Sequence, residues 1–193
     1  MELVHALKEW QAAVNALEQG DTIALLRKGG IREVGGKFTV QHDRVWLFPT
    51  FEHQKQELLK PPYASAVQPV ESGWHPSEVR IGSWAEITDV FQVRDESTVM
   101  ELLPFHVWNQ DFVTERLQWK PSQPLYVLLL RVYKLHTPHA IAYSSAYGGC
   151  KSWIDLETAI ATEPSEPILA ARDYHDLVAA IHSIIHSPSS VNI

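Results

Sequence analysis

The sequence predicts an α+β fold: a mixed, mostly antiparallel curved sheet or partial barrel, with helices packed at its N- and C-terminal ends. Three observations predict it. Apolar residues recur at helical spacing near both ends, runs of β-forming residues fill the middle, and the element order is not a regular βαβ repeat.

At the N-terminus, Leu3, Ala6, Leu7, Trp10, Val14 and Leu17 share one helical face. They predict a helix over residues 2–19 that ends at Gly20. Thr22 to Leu26 is a compact apolar strand, followed by a turn at Gly29-Gly30. Ile31 to Val34 and Lys37 to Val40 flank Gly35-Gly36, a two-residue hairpin signal, because both turn positions tolerate positive φ. Arg44 to Phe48 reads as a further strand. Thr50 is placed to cap a helix from Phe51 to Lys60, which Pro61-Pro62 would stop. Residues 61–80, interrupted by four prolines, read as a long connection.

Ser83 to Val93 is rich in β-formers. Short helices are expected over Ser97–Leu103 and Phe112–Trp119. Leu125 to Leu135 is the clearest strand, and its continuous Leu/Val core suits a strand buried on both faces. Ile141 to Tyr143 is expected to pair with it. A glycine-containing loop follows over Tyr147–Trp153, and Ser152 or Asp155 is placed to cap a short helical piece. Residues 161–167 are rich in Pro, Glu and Ser and read as exposed. A last helix is expected from about Ile168 to His186. Residues 1–186 then form a single domain, and 187–193 a flexible tail.

The chain has 193 residues, 45% of them apolar, and a formal net charge of −7, which weighs against broad non-specific DNA binding. The charge is uneven. Thr22 to Lys60 holds seven basic residues against four acidic ones, so it is positive in a negative chain. Cys150 is the only cysteine, which excludes an intramolecular disulfide and any cysteine metal cluster. The N-terminus lacks the pattern of a signal peptide, and the longest apolar run, Leu125 to Leu130, is too short to cross a bilayer. A soluble, cytoplasmic protein with no membrane partner is expected.

There is no G-x-x-x-x-G-K-[ST] loop, G-x-G-x-x-G fingerprint, H-E-x-x-H helix or G-x-S-x-G elbow. No cofactor and no metal are expected. Three stretches carry chemistry. In residues 25–33, Arg27, Lys28 and Arg32 adjoin Gly29-Gly30, where the backbone can approach an anion closely. The alternative is a glycine turn with solvated charges. In residues 42–54, His42, Arg44, Glu52 and His53 are candidates for proton transfer or ligand contact; Glu52 also suits a helix start through the dipole alone. In residues 146–153, Lys151 follows Gly148-Gly149, a second candidate anion loop, and Cys150 reads as a small buried thiol or a nucleophile. Arg131 interrupts the apolar strand. It needs a carboxylate or ligand if buried, and only a path to water if it lies at an edge.

Ala6-Leu7-Lys8-Glu9-Trp10, Leu25 through Glu33, His42 through Gln54, and Gly148-Gly149-Cys150-Lys151-Ser152-Trp153 together resemble an uncharacterised family of conserved bacterial proteins, best known from cyanobacteria and some Gram-positive bacteria. That resemblance covers the chain to about residue 185 and implies no activity. Leu17 through Thr22, with the basic residues up to Arg32, resembles RNA-associated PUA-like domains, which implies a basic cleft for RNA or a modified nucleotide. The leading helix, the hairpin and Glu33 with Lys37 resemble a metal-dependent nuclease fold, although Glu33-x-x-x-Lys37 departs from its usual glutamate-x-lysine spacing.

The function expected is binding of an anionic ligand, RNA or a nucleotide among them, by Arg27, Lys28, Arg32, Arg44 and Lys151, with Trp46 or Trp153 as a stacking surface. The alternatives are an enzyme that moves protons with His42, Glu52 or His53 on an anionic or nucleic-acid substrate, and a structural adaptor with an aromatic face.

Overall fold

The structure is a computed structural model, which describes residues 1–28 and 38–187. Seven strands form one sheet: β1 (Glu2–Trp10), β2 (Ala24–Arg27), β3 (Arg44–Thr50), β4 (Glu78–Val93), β5 (Leu125–Ala142), β6 (Trp153–Ala161) and β7 (Ser165–Pro167). Their order is β2-β5-β4-β3-β1-β6, and β7 pairs with β5. All the ladders are antiparallel except β1–β3. The helices are α1 (Gln11–Gln19), α2 (Pro61–Ala64), α3 (Glu96–Glu101), α4 (Gln110–Gln118) and α5 (Ala171–His186).

β4 and β5 form the longest ladder. It runs from Glu78↔Ala142 to Val93↔Leu125 and is broken by irregularities at Ile81/Ser83 and Ile87/Asp89. Both faces of the sheet are buried. Along β3, Val45 and Leu47 enter the core that also holds Leu17 of α1, Phe112 of α4 and Tyr174 of α5. The intervening Trp46 and Phe48 enter a second core with Ala6, Ile81 and Trp84. Because side chains alternate with a period of two, both faces of such a strand need cover. Trp46 is fully buried and donates its indole N–H to the Leu3 carbonyl at 2.9 Å.

The expected curved sheet or partial barrel is not found. The sheet is open and not curled, with β2 and β6 at opposite ends of the strand path. A small barrel buries a single inward face, whereas this sheet packs separate apolar cores on its two faces.

Residues 2–19 also differ from expectation: β1 occupies the first half of the expected helix, and only Gln11–Gln19 is helical. β1 lies between β3 and β6 and is buried on both sides, Ala6 in one core and Leu7 in the other. Its apolar residues therefore do not alternate, and their spacing imitates a helix. Gly20 does end α1, at φ +78°.

Thr50 caps no helix; its hydroxyl donates to the Glu9 carbonyl at 3.0 Å. Only a 3-10 turn at Gln56–Leu58 forms in the expected helical stretch. Pro61-Pro62 begins α2 rather than ending a helix, which suits proline at first-turn positions. Ser152 and Asp155 cap nothing either, because Trp153–Ala161 is β6. Residues 38–40 carry no strand, and the expected Gly35-Gly36 hairpin lies outside the described residues. Among the described residues, no helix is long and apolar enough to cross a membrane.

His106, between α3 and α4, is 2% exposed. Its ring nitrogens find no hydrogen-bond partner beyond a weak polar contact with the Trp108 backbone. Burial, and then the nearby Lys60 ammonium, push its pKa down to about 3. Lys60 itself donates to the Leu103 and His106 carbonyls. The unfolded chain takes up a proton on this histidine near pH 6.5, and the folded chain does so only near pH 3. Stability is therefore complete above pH 6.5 and is lost as pH falls through that window, by about 1.4 kcal/mol per unit for this one group. Denaturant unfolding as a function of pH should show this slope, and His106→Leu should flatten it.

Candidate functional site

β1 and β3 are parallel neighbours, with Lys8↔Phe48 and Trp10↔Thr50 in register, so their C-terminal ends arrive on the same side. Lys8, Glu9 and Trp10 there meet Phe48 through His53 across a cleft of about 550 Å³. Leu26 and Arg27 of β2 with the following Lys28, one side of α4, residues 74–76 and the loop Tyr147–Ser152 add further wall. The volume lies within the range of small-molecule sites.

Among the described residues, five cations line this cleft (Lys8, Arg27, Lys28, Arg116 and Lys151), against two carboxylates, Glu9 and Glu52. The whole chain has 16 basic and 23 acidic residues, so the local excess of positive charge opposes the global balance. The cations are held differently. Lys8, 9% exposed, donates to the carbonyls of Tyr147 at 2.6 Å and Gly149 at 2.8 Å, which ties the glycine loop to β1. Lys28 donates to the carbonyls of Arg116 (2.5 Å) and Leu117 (3.1 Å), in the last turn of α4, where a cation also meets the negative end of the helix dipole. Arg27 donates to the Lys8 carbonyl and lies 3.5 Å from the Glu9 carboxylate. The Arg116 guanidinium lies over Phe112, 4.9 Å from the ring centroid, and 5.9 Å from that of Trp119. Lys151 is exposed, with one long contact of 3.4 Å to the Ala146 carbonyl.

Burial lowers the pKa of Lys8 and of Lys28, and Arg116 lowers that of Lys28 further. Burial also lowers that of Arg116. Glu52 moves downward as well, chiefly because its carboxylate accepts the Gly73 N–H at 2.7 Å, and it accepts the Ser72 hydroxyl too. His53 lies 3.3 Å from Glu52 and has a positive φ of 65°.

Aromatic rings supply the remaining wall. Trp10 and Trp108 both pack on Phe112; Trp74, 46% exposed, meets Phe51 edge-on; His75 stacks on Tyr143 at 3.5 Å. Among the described residues, three buried polar atoms of this lining have no hydrogen-bond partner: Arg27 Nε, the indole N–H of Trp108 and Glu9 Oε2.

Arg27, Lys28, Glu52, His53 and Lys151 therefore share one cleft. His42, Arg44 and Arg131 lie elsewhere. The His42 ring stacks on His5 at 3.5 Å and contributes nothing to the cleft wall. Burial and then His5 lower its pKa. Arg44 pairs with Glu86 at 2.8 Å. Arg131 lies 4.8 Å from the Tyr174 ring centroid, with Nη1 unpartnered. Arg32, Glu33 and Lys37 lie outside the described residues. Trp46 is too buried to stack on a ligand, and Trp153 packs on Phe38 and donates to the Thr39 carbonyl. Cys150 is an exposed thiol at the cleft, not a buried one. Sequence reading missed Lys8, Arg116 and the tryptophans at 10, 74, 108 and 119. Only Lys8 carried a signal, a charged pair with Glu9 inside an apolar strand.

Lys8→Met should leave the Tyr147 and Gly149 carbonyls without their donor. A stability loss of about 1–3 kcal/mol is expected. Hydrogen exchange should show loosening centred on residues 147–152; an unchanged protection pattern there would contradict this account of the loop.

Among solved structures, the chain is similar to the crystal structure of ASCH from Zymomonas mobilis, with 12% identity and a TM-score of 0.47 over 91% of this chain and 93% of that one. It is also similar to that protein's serine-to-alanine mutant, with 11% identity and a TM-score of 0.48 over 91% and 94% of the two chains. No curated protein matches the chain. A family profile described as a domain of unknown function, DUF1802, matches residues 6–180, and the chain belongs to that family.

Proposed function

We propose that the chain is a binding protein for a phosphate-bearing ligand with an aromatic base, a nucleotide or single-stranded RNA, held in the cleft between β1, β3 and α4. The observation that carries this reading is the meeting of five cations with four tryptophans around one 550 Å³ space in an otherwise acidic chain. Arg27, Arg116 and Lys151 face the phosphate, and Trp74 and Trp119 offer faces for a base.

Fluorescence anisotropy with labelled single-stranded RNA, and calorimetry with mononucleotides, test this. Binding should weaken steeply with salt. Arg116→Ala and Lys151→Ala should each lower affinity about tenfold, in line with charge-assisted contacts of about 1.5–3 kcal/mol. A bound anion favours protonated Lys8 and Lys28, whose pKa values lie below 10.5 in the free protein. Affinity should therefore fall as pH rises through those lowered values, earlier than ordinary lysines would require. Undetectable binding of every oligonucleotide and nucleotide at low salt would overturn the proposal.

One observation favours a second reading, an enzyme acting on such a ligand: His53 and Glu52 lie together on the cleft wall. His42 takes no part in it, because it lies outside the cleft. New products from RNA incubated with the wild type, absent with His53→Ala, would establish this reading; intact RNA would leave binding alone.

A further inference from the structure

Away from the cleft lining, His5, His42 and Asp155 come together from three distant parts of the chain. His5 lies on β1 just after an irregularity in the β1–β6 ladder at Leu3/His5, and it is the register partner of Asp155 on β6. Such irregularities re-aim side chains. His5 Nδ1 lies 2.7 Å from Asp155 Oδ1. His42, on the connection before β3, lays its ring parallel to that of His5, at 3.5 Å and 7°. Trp153 meets His42 in an edge-type contact, 6.1 Å between centroids. One ligand atom from each of the three residues lies within 4.8 Å of the others.

A cross-strand His–Asp pair accounts for two of these residues. It does not account for a second imidazole from residue 42 against the first. Among the described residues, no lysine or arginine pairs with Asp155 either, although its side chain is 68% exposed. We propose that His5, His42 and Asp155 bind a divalent transition-metal ion of the zinc type, with a fourth position open to solvent. Two imidazoles and a carboxylate suit that ion class better than magnesium or calcium, which prefer all-oxygen sites.

The geometry requires modest adjustment. Bonds of about 2.0–2.2 Å set neighbouring ligand atoms roughly 3.3 Å apart around a tetrahedral ion. Asp155 and His5 then open slightly as the metal replaces the shared proton. The His42 ring tilts out of the stack so that both nitrogen lone pairs converge, and it lies on an irregular segment rather than a paired strand.

The test is calorimetric titration of the metal-stripped full chain with ZnCl2, with Co²⁺ visible absorption as the reporter of coordination geometry. One ion per chain is expected, with tetrahedral-type Co²⁺ bands. His42→Ala and Asp155→Ala should each weaken binding at least tenfold, with circular dichroism confirming the fold. If His42→Ala does not fold, His42→Gln serves the same purpose. His182→Ala, which removes a histidine on α5 whose ring is tilted against that of His186, should change nothing. Absence of saturable Zn²⁺ binding, binding that His42 variants leave unchanged, or binding lost only in His182→Ala would overturn the proposal.

Discussion

β4 and β5 run antiparallel over nearly their whole lengths, and the rest of the sheet grows outward from this ribbon. β2 pairs with the start of β5, and β3 pairs with the middle of β4. β1 then joins β3 in parallel. That one parallel ladder places the chain ends of β1 and β3 side by side, which gives the cleft its floor. An open sheet with a core on each face needs long apolar strands to hold it. The fully buried run Leu128–Leu130 within β5 supplies such a strand.

The cleft also depends on charges buried at its base. Lys8 and Glu9 are adjacent on β1 and only 9% and 6% exposed. Burying either alone would be costly, because a buried charge needs a partner or strong hydrogen bonds. Lys8 finds two carbonyls of the glycine loop, and Glu9 finds Arg27 and the N–H of Trp10 at 2.7 Å. Each solution ties a different wall to β1. The same interactions that make the charges tolerable therefore assemble the site.

Much of the fold was legible in the sequence where one periodicity dominated. β5, α5 and the helices α3 and α4 follow from runs whose pattern fits a single element type, and Asp95 and Asn109 accept the Thr98 and Phe112 N–H groups as caps should. β1 was misread because burial on two faces removes the alternation that marks a strand. β6 was missed because it alternates weakly, with Glu157 and Thr158 exposed and only Ile154 and Leu156 buried. In the site, Arg27, Lys28 and Lys151 stood out beside glycines. Arg116 and Trp119 did not, because they look like ordinary residues at the end of a surface helix, and only the approach of Lys28 to the last turn of α4 reveals that they border the cleft. The meeting of residue 5 with residues 42 and 155 depends on strand order alone, which no local pattern encodes.

The way the cations are held bears on what the proposed ligand would feel. Lys8 and Lys28 already direct hydrogen bonds at carbonyls, so they act on a ligand mainly through their field. Arg116, held against aromatic rings with no ion pair among the described residues, and exposed Lys151 retain donors for direct contact. A site of this kind reads charge and a flat ring more than a base's hydrogen-bonding edge. Stacking faces accept every base, and a field accepts every phosphate. Selection among nucleotides would then come from the cleft's length and shape rather than from a dedicated set of base contacts.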